Sequence, residues 1–301
     1  MNRFDDLLIF LKEKDITYEK DVSMKTLTSF RIGGNSKFVC FPENIDKFKI
    51  LIEFLKEKKI KYSFLGNGSN ILVSDEGYFG VFISTKNLDK IKILSDSMIY
   101  CESGVNLIKL CKFLKENSFS GMEPLFGIPG SLGGAICMNA GAYGAEIKDF
   151  IISVSFLDKN NNLKELKLKD LCFSYRYSIF QRTQNFIINA ILKLKKGDKK
   201  EIEQNMNLYI KKRIEKQPLN FPNAGSVFKR PKGFFAAKLI EEIGLKGFRI
   251  GDAKISEKHC GFIINVGDAK SKDVEKLIEK IKEMVKIEKG INLETEIKII
   301  R

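Results

Sequence analysis

Residues 121–144, GMEPLFGIPGSLGGAICMNAGAYG, carry the pattern with the clearest chemical meaning. Seven of the 23 glycines fall within these 24 positions, and no charged residue stands between Glu123 and Glu146. The glycines follow neither a helix nor a strand period, so bare main chain must come close to something bulky. Amide N–H groups in glycine-rich turns form concave donor nests that hold phosphate oxygens. A tightly packed buried loop is the competing reading. A membrane span is excluded by Pro124, Pro129, Asn139 and the glycines themselves. A second loop, Gly66-Asn67-Gly68-Ser69-Asn70, lies between two short apolar runs. Gly66 and Gly68 free its backbone, while Asn67, Ser69 and Asn70 offer side-chain donors. Asn-Gly between strands is equally the mark of a tight hairpin, so this loop has two readings. Neither loop matches G-x-x-x-x-G-K-[ST], nor a G-x-G-x-x-G following a strand. Two separate loops about 60 residues apart suggest a large diphosphate-bearing cofactor gripped from two sides.

Other chemistries are poorly represented. His259 is the only histidine, which argues against a His-based metal cluster and a His-Asp relay. The six cysteines (Cys40, Cys101, Cys111, Cys137, Cys172, Cys260) show no C-x-x-C spacing. They read as small buried side chains rather than as zinc ligands or a disulfide framework. No metal site is expected. Fifty-two Lys and Arg against 38 Asp and Glu give a net charge of +14, so a nucleic-acid partner must be weighed. The lysines are interleaved with glutamates and no nucleic-acid motif appears. The excess therefore reads as solvated surface plus a field that attracts small anions. No nucleic-acid or membrane partner is expected.

The elements that must position the loops follow from periodicity. The run Met1–Lys14 is amphipathic, with Phe4, Leu7, Leu8 and Leu11 on one helical face. Its Asp5, Asp6 and Glu13 are unlike a signal peptide, so the cytoplasm is the expected compartment. Helices are predicted over 45–59, 106–117, 201–216, 234–244 and 271–290. Strands are predicted over 36–41, 61–66, 71–75, 80–85, 90–95, 98–104, 150–158 and 163–171 as a hairpin, 186–197, 248–256, 259–267 and 291–300. Pro218 and Pro222 close the 201–216 helix, whose apolar face is read as Ile202, Met206, Tyr209, Ile210 and Ile214. The sum is an α+β chain long enough for two or three domains, the last about 100 residues forming an α/β layer of their own.

TSFRIGG, the GNGSN loop, GIPGSLGGAICMNAGAYG, SYRYS, NAGSVFKRP and a final LETEI occur in this order. In that succession the chain resembles the UDP-N-acetylenolpyruvoylglucosamine reductase family over nearly its whole length. These are flavoenzymes that make UDP-N-acetylmuramate for bacterial cell walls. Arg176 and Ser226 are only 50 residues apart, which is similar to the short form lacking a tyrosine-bearing insertion. The resemblance implies a two-subdomain FAD-binding fold of the vanillyl-alcohol-oxidase type followed by a C-terminal α/β substrate domain. The corresponding division is residues 1–86, 87–198 and 199–301. It implies FAD held non-covalently by Gly66, Asn67, Gly68, Ser69 and Asn70 together with Gly130, Ser131, Gly133, Gly134, Ala135, Asn139, Gly141, Ala142, Tyr143 and Gly144. It implies NADPH as the reductant and UDP-N-acetylglucosamine enolpyruvate as the substrate. Arg176 would lie near the enolpyruvyl carboxylate, Ser226 would donate a proton, and Glu296 would complete the site. Lys216, Arg230, Lys246 and His259 match positions lining the substrate pocket, although other members carry an amide at 230 and 259. Thr295 replaces a proline common in the last motif and leaves Glu296 in place.

The reaction makes its own demands. Reducing an enolpyruvyl C=C leaves negative charge at the α-carbon and its carboxylate, so the protein must supply cations and a proton there. Arginine suits a carboxylate through two parallel N–H bonds. A serine donates only where neighbours stabilise its alkoxide, as a basic pocket does. Taken alone, these residues have plainer readings as well. Arg176 between Tyr175 and Tyr177 reads as a strand cation stacked on a ring. Ser226 reads as a turn or cap residue. Glu294, Glu296 and Lys298 would share one solvated strand face. Two other functions compete: a different oxidoreductase on the same two-loop FAD scaffold, and a basic nucleotide- or nucleic-acid-binding protein without catalysis.

Overall fold

The computed structural model describes residues 3–301. The first two positions of the amphipathic run expected over 1–14 lie outside the described residues, and the helix covers Arg3–Glu13. Two compact units divide the chain. One takes the residues up to Glu19, then Phe38–Asn67 and Gly80–Lys212; the other takes Lys20–Lys37, Gly68–Phe79 and Arg213–Arg301. The GNGSN loop is thus apportioned after Asn67, and helix Lys199–Lys216 contributes to both.

The first unit holds two hydrophobic clusters. In one, helix Ile45–Glu57 buries Phe48, Leu51, Ile52 and Leu55 together with Leu7, Leu11, Val81 and Ile83. Asn44 starts that helix by accepting from the Lys47 N–H at 2.9 Å. Strand Tyr62–Leu65 runs parallel to Tyr78–Ser84, pairing Tyr62 with Val81 and Leu65 with Ser84. The second cluster lies on a five-stranded antiparallel sheet ordered Leu163–Lys167, Ile151–Leu157, Phe186–Lys193, Met98–Glu102, Ile91–Ile93. Helix Leu107–Glu116 adds Leu107, Leu110, Cys111 and Leu114, all buried as their spacing requires. Each such apolar side chain contributes roughly 1.5–3 kcal/mol when removed from water.

The second unit has one cluster. Helix Ser271–Lys289 supplies Val274, Leu277, Ile278, Ile281 and Val285, and helix Ala236–Glu242 supplies Leu239 and Ile240. They share it with Phe30, Ile32 and Leu72 from the N-terminal part of the chain. Its antiparallel sheet is ordered Asn223–Ser226, Phe262–Asn265, Ala253–Ile255, Arg249–Ile250. The Asp75 carboxylate accepts from the Ser271 and Lys272 N–H groups at 2.8 and 3.2 Å, closing the start of the long helix. Gly290, at φ +68°, ends it.

Several sequence expectations are corrected. The segment expected as one strand over 291–300 is a strand only at Lys298–Ile300, parallel to Ile71–Val73. Its earlier part bonds elsewhere: Lys229 N–H donates to Glu294 O at 2.9 Å and Glu296 N–H to Val227 O at 2.7 Å. Because the chain changes partner between Glu296 and Lys298, no single ladder carries the three charged side chains. The strand expected over 248–256 is a hairpin, Arg249–Ile250 with Ala253–Ile255, turning through Gly251 at φ +55°. Ile214, assigned to the apolar face of its helix, is 54% exposed. Of the cysteines, four are buried, Cys137 is intermediate and Cys172 is exposed. Burial pushes the Cys40 and Cys111 thiols up to about 12, so both are inert. Among the described residues no helix is long and apolar enough to cross a membrane, and none group as a metal site.

Candidate active site

The hairpin reading of GNGSN fails, because strand Tyr62–Leu65 pairs with Tyr78–Ser84 while Ile71–Val73 pairs with Lys298–Ile300. The loop joins two different sheets. In the first unit its Gly66 and Asn67 meet the glycine-rich segment. Asn67 Nδ2 donates to Pro129 O at 3.1 Å, and a Cβ on Gly66 would stand 2.5 Å from Ser131 Oγ.

The glycine-rich segment contains a helix its lack of period concealed. Leu132–Met138 is α-helical, entered through Ser131, whose Oγ accepts from the Gly134 N–H at 3.3 Å, and left through Asn139 in the left-handed region at φ +42°. Caps at both ends define this helix, in place of an apolar stripe. Asn139 is fully buried, donates to Glu146 Oε2 and Ser174 O at 3.0 and 2.9 Å, and accepts from Lys148 N–H at 3.3 Å. Its amide is therefore engaged by the protein itself. The next turn, Gly141-Ala142-Tyr143-Gly144, folds back through an antiparallel pair, Ala142 with Ala145.

The two helical glycines differ in kind. A Cβ on Gly133 would lie 2.9 Å from Ser103 Cβ, so packing against the protein demands that glycine. A Cβ on Gly134 would meet only Ser131 Oγ at 3.4 Å, and one on Gly144 nothing within 4 Å. Gly134 is exposed, in a conformation any residue adopts. A bare Cα that neither packing nor backbone requires leaves a cradle for a bound group, and the residues present fit a flavin dinucleotide.

Arg176 is brought to the same place. Its Nη2 donates to Gly141 O at 3.2 Å, and its guanidinium lies 5.1 Å from the Tyr175 ring centroid. It does not stand in a strand: Ser174 and Tyr177 close a turn around it, and Arg176 itself has φ +53°. That region is costly for an arginine, and Arg31 shares it at the same φ.

The second unit assembles the remaining residues in two groups. In strand Asn223–Ser226 the register to Phe262–Asn265 shifts by a bulge, Asn223 facing Ile264 and Ser226 facing Phe262. Gly225, at φ +78°, makes the bulge, and its N–H donates to Asn223 Oδ1 at 2.9 Å. Ser226 is followed by Val227, whose carbonyl holds the Glu296 N–H. Asn70 Nδ2 donates to Glu296 O at 3.4 Å, and Lys298 N–H to Asn70 O at 3.0 Å. Ser226, Glu296 and Asn70 are thus neighbours through their main chains. Gly68, at φ +62°, is buried, and a Cβ there would strike Leu27 O at 2.1 Å.

The other group surrounds a cleft of about 250 Å³ lined by Phe235, Lys238, Glu241, Lys246, Glu257, Lys258 and His259, among others. Lys246 pairs with Glu241 at 2.8 Å. The Arg230 guanidinium lies 4.6 Å from the Phe235 ring centroid. His259 Nδ1 accepts from the Gly261 N–H at 3.1 Å, which leaves the neutral imidazole's proton on Nε2. Burial depresses its pKa below the ordinary 6.5. Two sequence candidates, Lys246 and His259, therefore line one cleft, and Arg230 meets it through the ring of Phe235. Lys216 is exposed at the last position of helix Lys199–Lys216 and does not line it. Sequence reading missed Phe235 and Glu241, which it placed only within a predicted helix over 234–244.

Comparison with known proteins agrees with this geometry. Residues 36–167 match the FAD binding domain, and residues 217–300 match the UDP-N-acetylenolpyruvoylglucosamine reductase C-terminal domain. A UDP-N-acetylenolpyruvoylglucosamine reductase of Caldanaerobacter subterraneus is 45% identical over 98% of this chain and 97% of its own. One from Pseudothermotoga lettingae is 48% identical over 93% of this chain and 96% of its own. The crystal structure of the reductase from Thermus caldophilus superposes with a TM-score of 0.82 at 32% identity, covering 95% of this chain and all of that one. The α+β, FAD-binding architecture expected from the sequence therefore holds, and the chain belongs to the UDP-N-acetylenolpyruvoylglucosamine reductase family.

Proposed function

We propose that this protein is an FAD-dependent oxidoreductase that reduces UDP-N-acetylglucosamine enolpyruvate to UDP-N-acetylmuramate with NADPH, a step of peptidoglycan precursor synthesis in the cytoplasm. The observation that carries the reading is the cradle at Gly134, in the same glycine-rich segment whose Gly141 carbonyl accepts from the Arg176 guanidinium. When bound there, FAD would supply the hydride chemistry that links NADPH to the β-carbon of the enolpyruvyl group.

The chain's own residues supply the rest. Main-chain N–H groups of Gly66–Asn70 and Gly130–Gly144 hold the FAD diphosphate, with Asn139 acting as the internal brace of the second stretch. Arg176 clamps the enolpyruvyl carboxylate, where charge accumulates. Ser226 gives its proton to the α-carbon, and Glu296 orients the groups around that serine. Arg230 and Lys246 offset the charge of the nucleotide diphosphate, and His259 donates a hydrogen bond from Nε2. Functionally the chain divides at 86/87 and 198/199 into two FAD subdomains and a substrate domain. Three hydrophobic clusters are present, although Phe30, Ile32 and Leu72 join the C-terminal one and Leu157, Phe186 and Ile188 the N-terminal one.

The test is spectroscopic. The purified protein should be yellow, bleach with NADPH and regain its colour with UDP-N-acetylglucosamine enolpyruvate. A colourless protein that cannot be reconstituted with FAD overturns the reading. Reoxidation by other acceptors but not by the enolpyruvyl nucleotide would assign it to another oxidoreductase on this scaffold.

A further inference from the structure

Tyr143 is the one side chain of size in the Gly141–Gly144 turn, and it too has a positive φ, +52°. It is 38% exposed, and its ring stacks on that of Tyr209, with centroids 5.0 Å apart and planes 29° from parallel. Tyr209 comes from helix Lys199–Lys216, outside every motif the sequence singled out. Its helical spacing with Ile202 and Met206 suggested a core residue, yet only those two are fully buried. On its own helix, the Lys212 ammonium lies 5.5 Å from the Tyr209 ring centroid.

A four-residue turn with two glycines is intrinsically loose. Its Gly141 carbonyl nonetheless accepts the Arg176 guanidinium, so wherever the turn goes, that arginine's anchor goes with it. An offset stack of two aromatic rings contributes roughly 0.5–1.5 kcal/mol beyond its area. That is enough to favour one arrangement of a flexible turn over several alternatives. We propose that Tyr209 is a positioning residue: by stacking on Tyr143 it fixes the Gly141–Gly144 turn, and through it the flavin-facing main chain and the Arg176 anchor. The inference rests on the reading that this turn holds the flavin.

The experiment compares Tyr209→Ala, Tyr209→Phe, Tyr143→Ala and the double variant Tyr143→Ala/Tyr209→Ala. FAD dissociation constants and the visible circular dichroism of bound flavin are measured alongside thermal unfolding of the apoprotein. Both tyrosines are partly exposed, so the variants fold. Tyr209→Ala should weaken FAD binding about tenfold and alter the flavin dichroism, and Tyr209→Phe should restore both within about twofold, since the ring supplies the platform. The double variant should lose no more than Tyr143→Ala alone, because the second ring acts through the first. Additive losses overturn the proposal, as does an unchanged FAD constant in Tyr209→Ala when Tyr143→Ala weakens it. An unchanged FAD constant in Tyr143→Ala overturns both this inference and the placement of the turn at the flavin. A fall in apoprotein stability alone, with dichroism unmoved, also overturns it.

Discussion

The glycine-rich segment of the first unit and the cleft of the second offer an anion opposite kinds of surface. In Gly130–Gly144 no side chain carries charge, and the binding surface is main chain held by caps at Ser131 and Asn139. Around the cleft, recognition belongs to side chains, three lysines set against Glu241 and Glu257. The first surface is fixed by caps along its short helix, while its Gly141–Gly144 turn is loose. The second holds its lysines in exposed ion pairs such as Lys246–Glu241, which an incoming anion would have to replace. A main-chain site is therefore sensitive to a single methyl group, whereas a side-chain site yields gradually to substitution.

The contrast can be broken by experiment, beginning with the chemistry both regions serve. Ser226→Ala should accept reducing equivalents from NADPH normally and slow flavin reoxidation by roughly 10²–10⁴-fold, the usual worth of a general acid. Equal loss in both half-reactions would remove Ser226 from that role. Arg176→Ala should cost about 3–4 kcal/mol of transition-state stabilisation, comparable with an oxyanion donor. Steady-state kcat/KM reads this directly, and an unaltered value would rule out the clamp.

Next come the paired glycines, which separate fold from function at adjacent positions. Gly133→Ala should lower the stability of the apoprotein by about 1–3 kcal/mol, because its methyl must displace Ser103. Gly134→Ala should leave apoprotein stability unchanged or raised by up to about 1 kcal/mol, alanine being the better helix former, and yet impair FAD retention. Urea unfolding with and without FAD distinguishes the two, and identical behaviour would erase the cradle argument.

The smallest effect belongs to His259. Its folded pKa lies below the ordinary 6.5, so the native state binds fewer protons than the unfolded chain just below that value. The stability it contributes is present above pH 6.5 and is lost as pH falls toward the depressed folded pKa. His259→Gln should flatten that part of the stability profile, measured by urea titration across pH 5–8, and a slope identical to the parent's would refute it.

Much of this was legible in the chain. Helices with a strong stripe, such as Ile45–Glu57, Leu107–Glu116 and Ser271–Lys289, were read nearly to their ends, since burial of one face decides them. The short helix Leu132–Met138 was not, because its two glycines and two caps carry no stripe. Arg176 was read as a strand residue, since a positive φ at arginine has no sequence mark. Tyr209 was read as core, because helical spacing does not say what covers a face.

By itself the sequence determined which backbone stretches are bare, which helices are amphipathic, and the ordered motifs that identify the family. Those depend on residue type and local spacing. Only the tertiary structure decided that GNGSN joins two sheets rather than a hairpin, that Asn70 lies against Glu296, and that Tyr143 rests on Tyr209. The residues concerned are 66 positions apart in the last case, and contacts of that separation are set by how whole elements pack, a quantity no local pattern encodes.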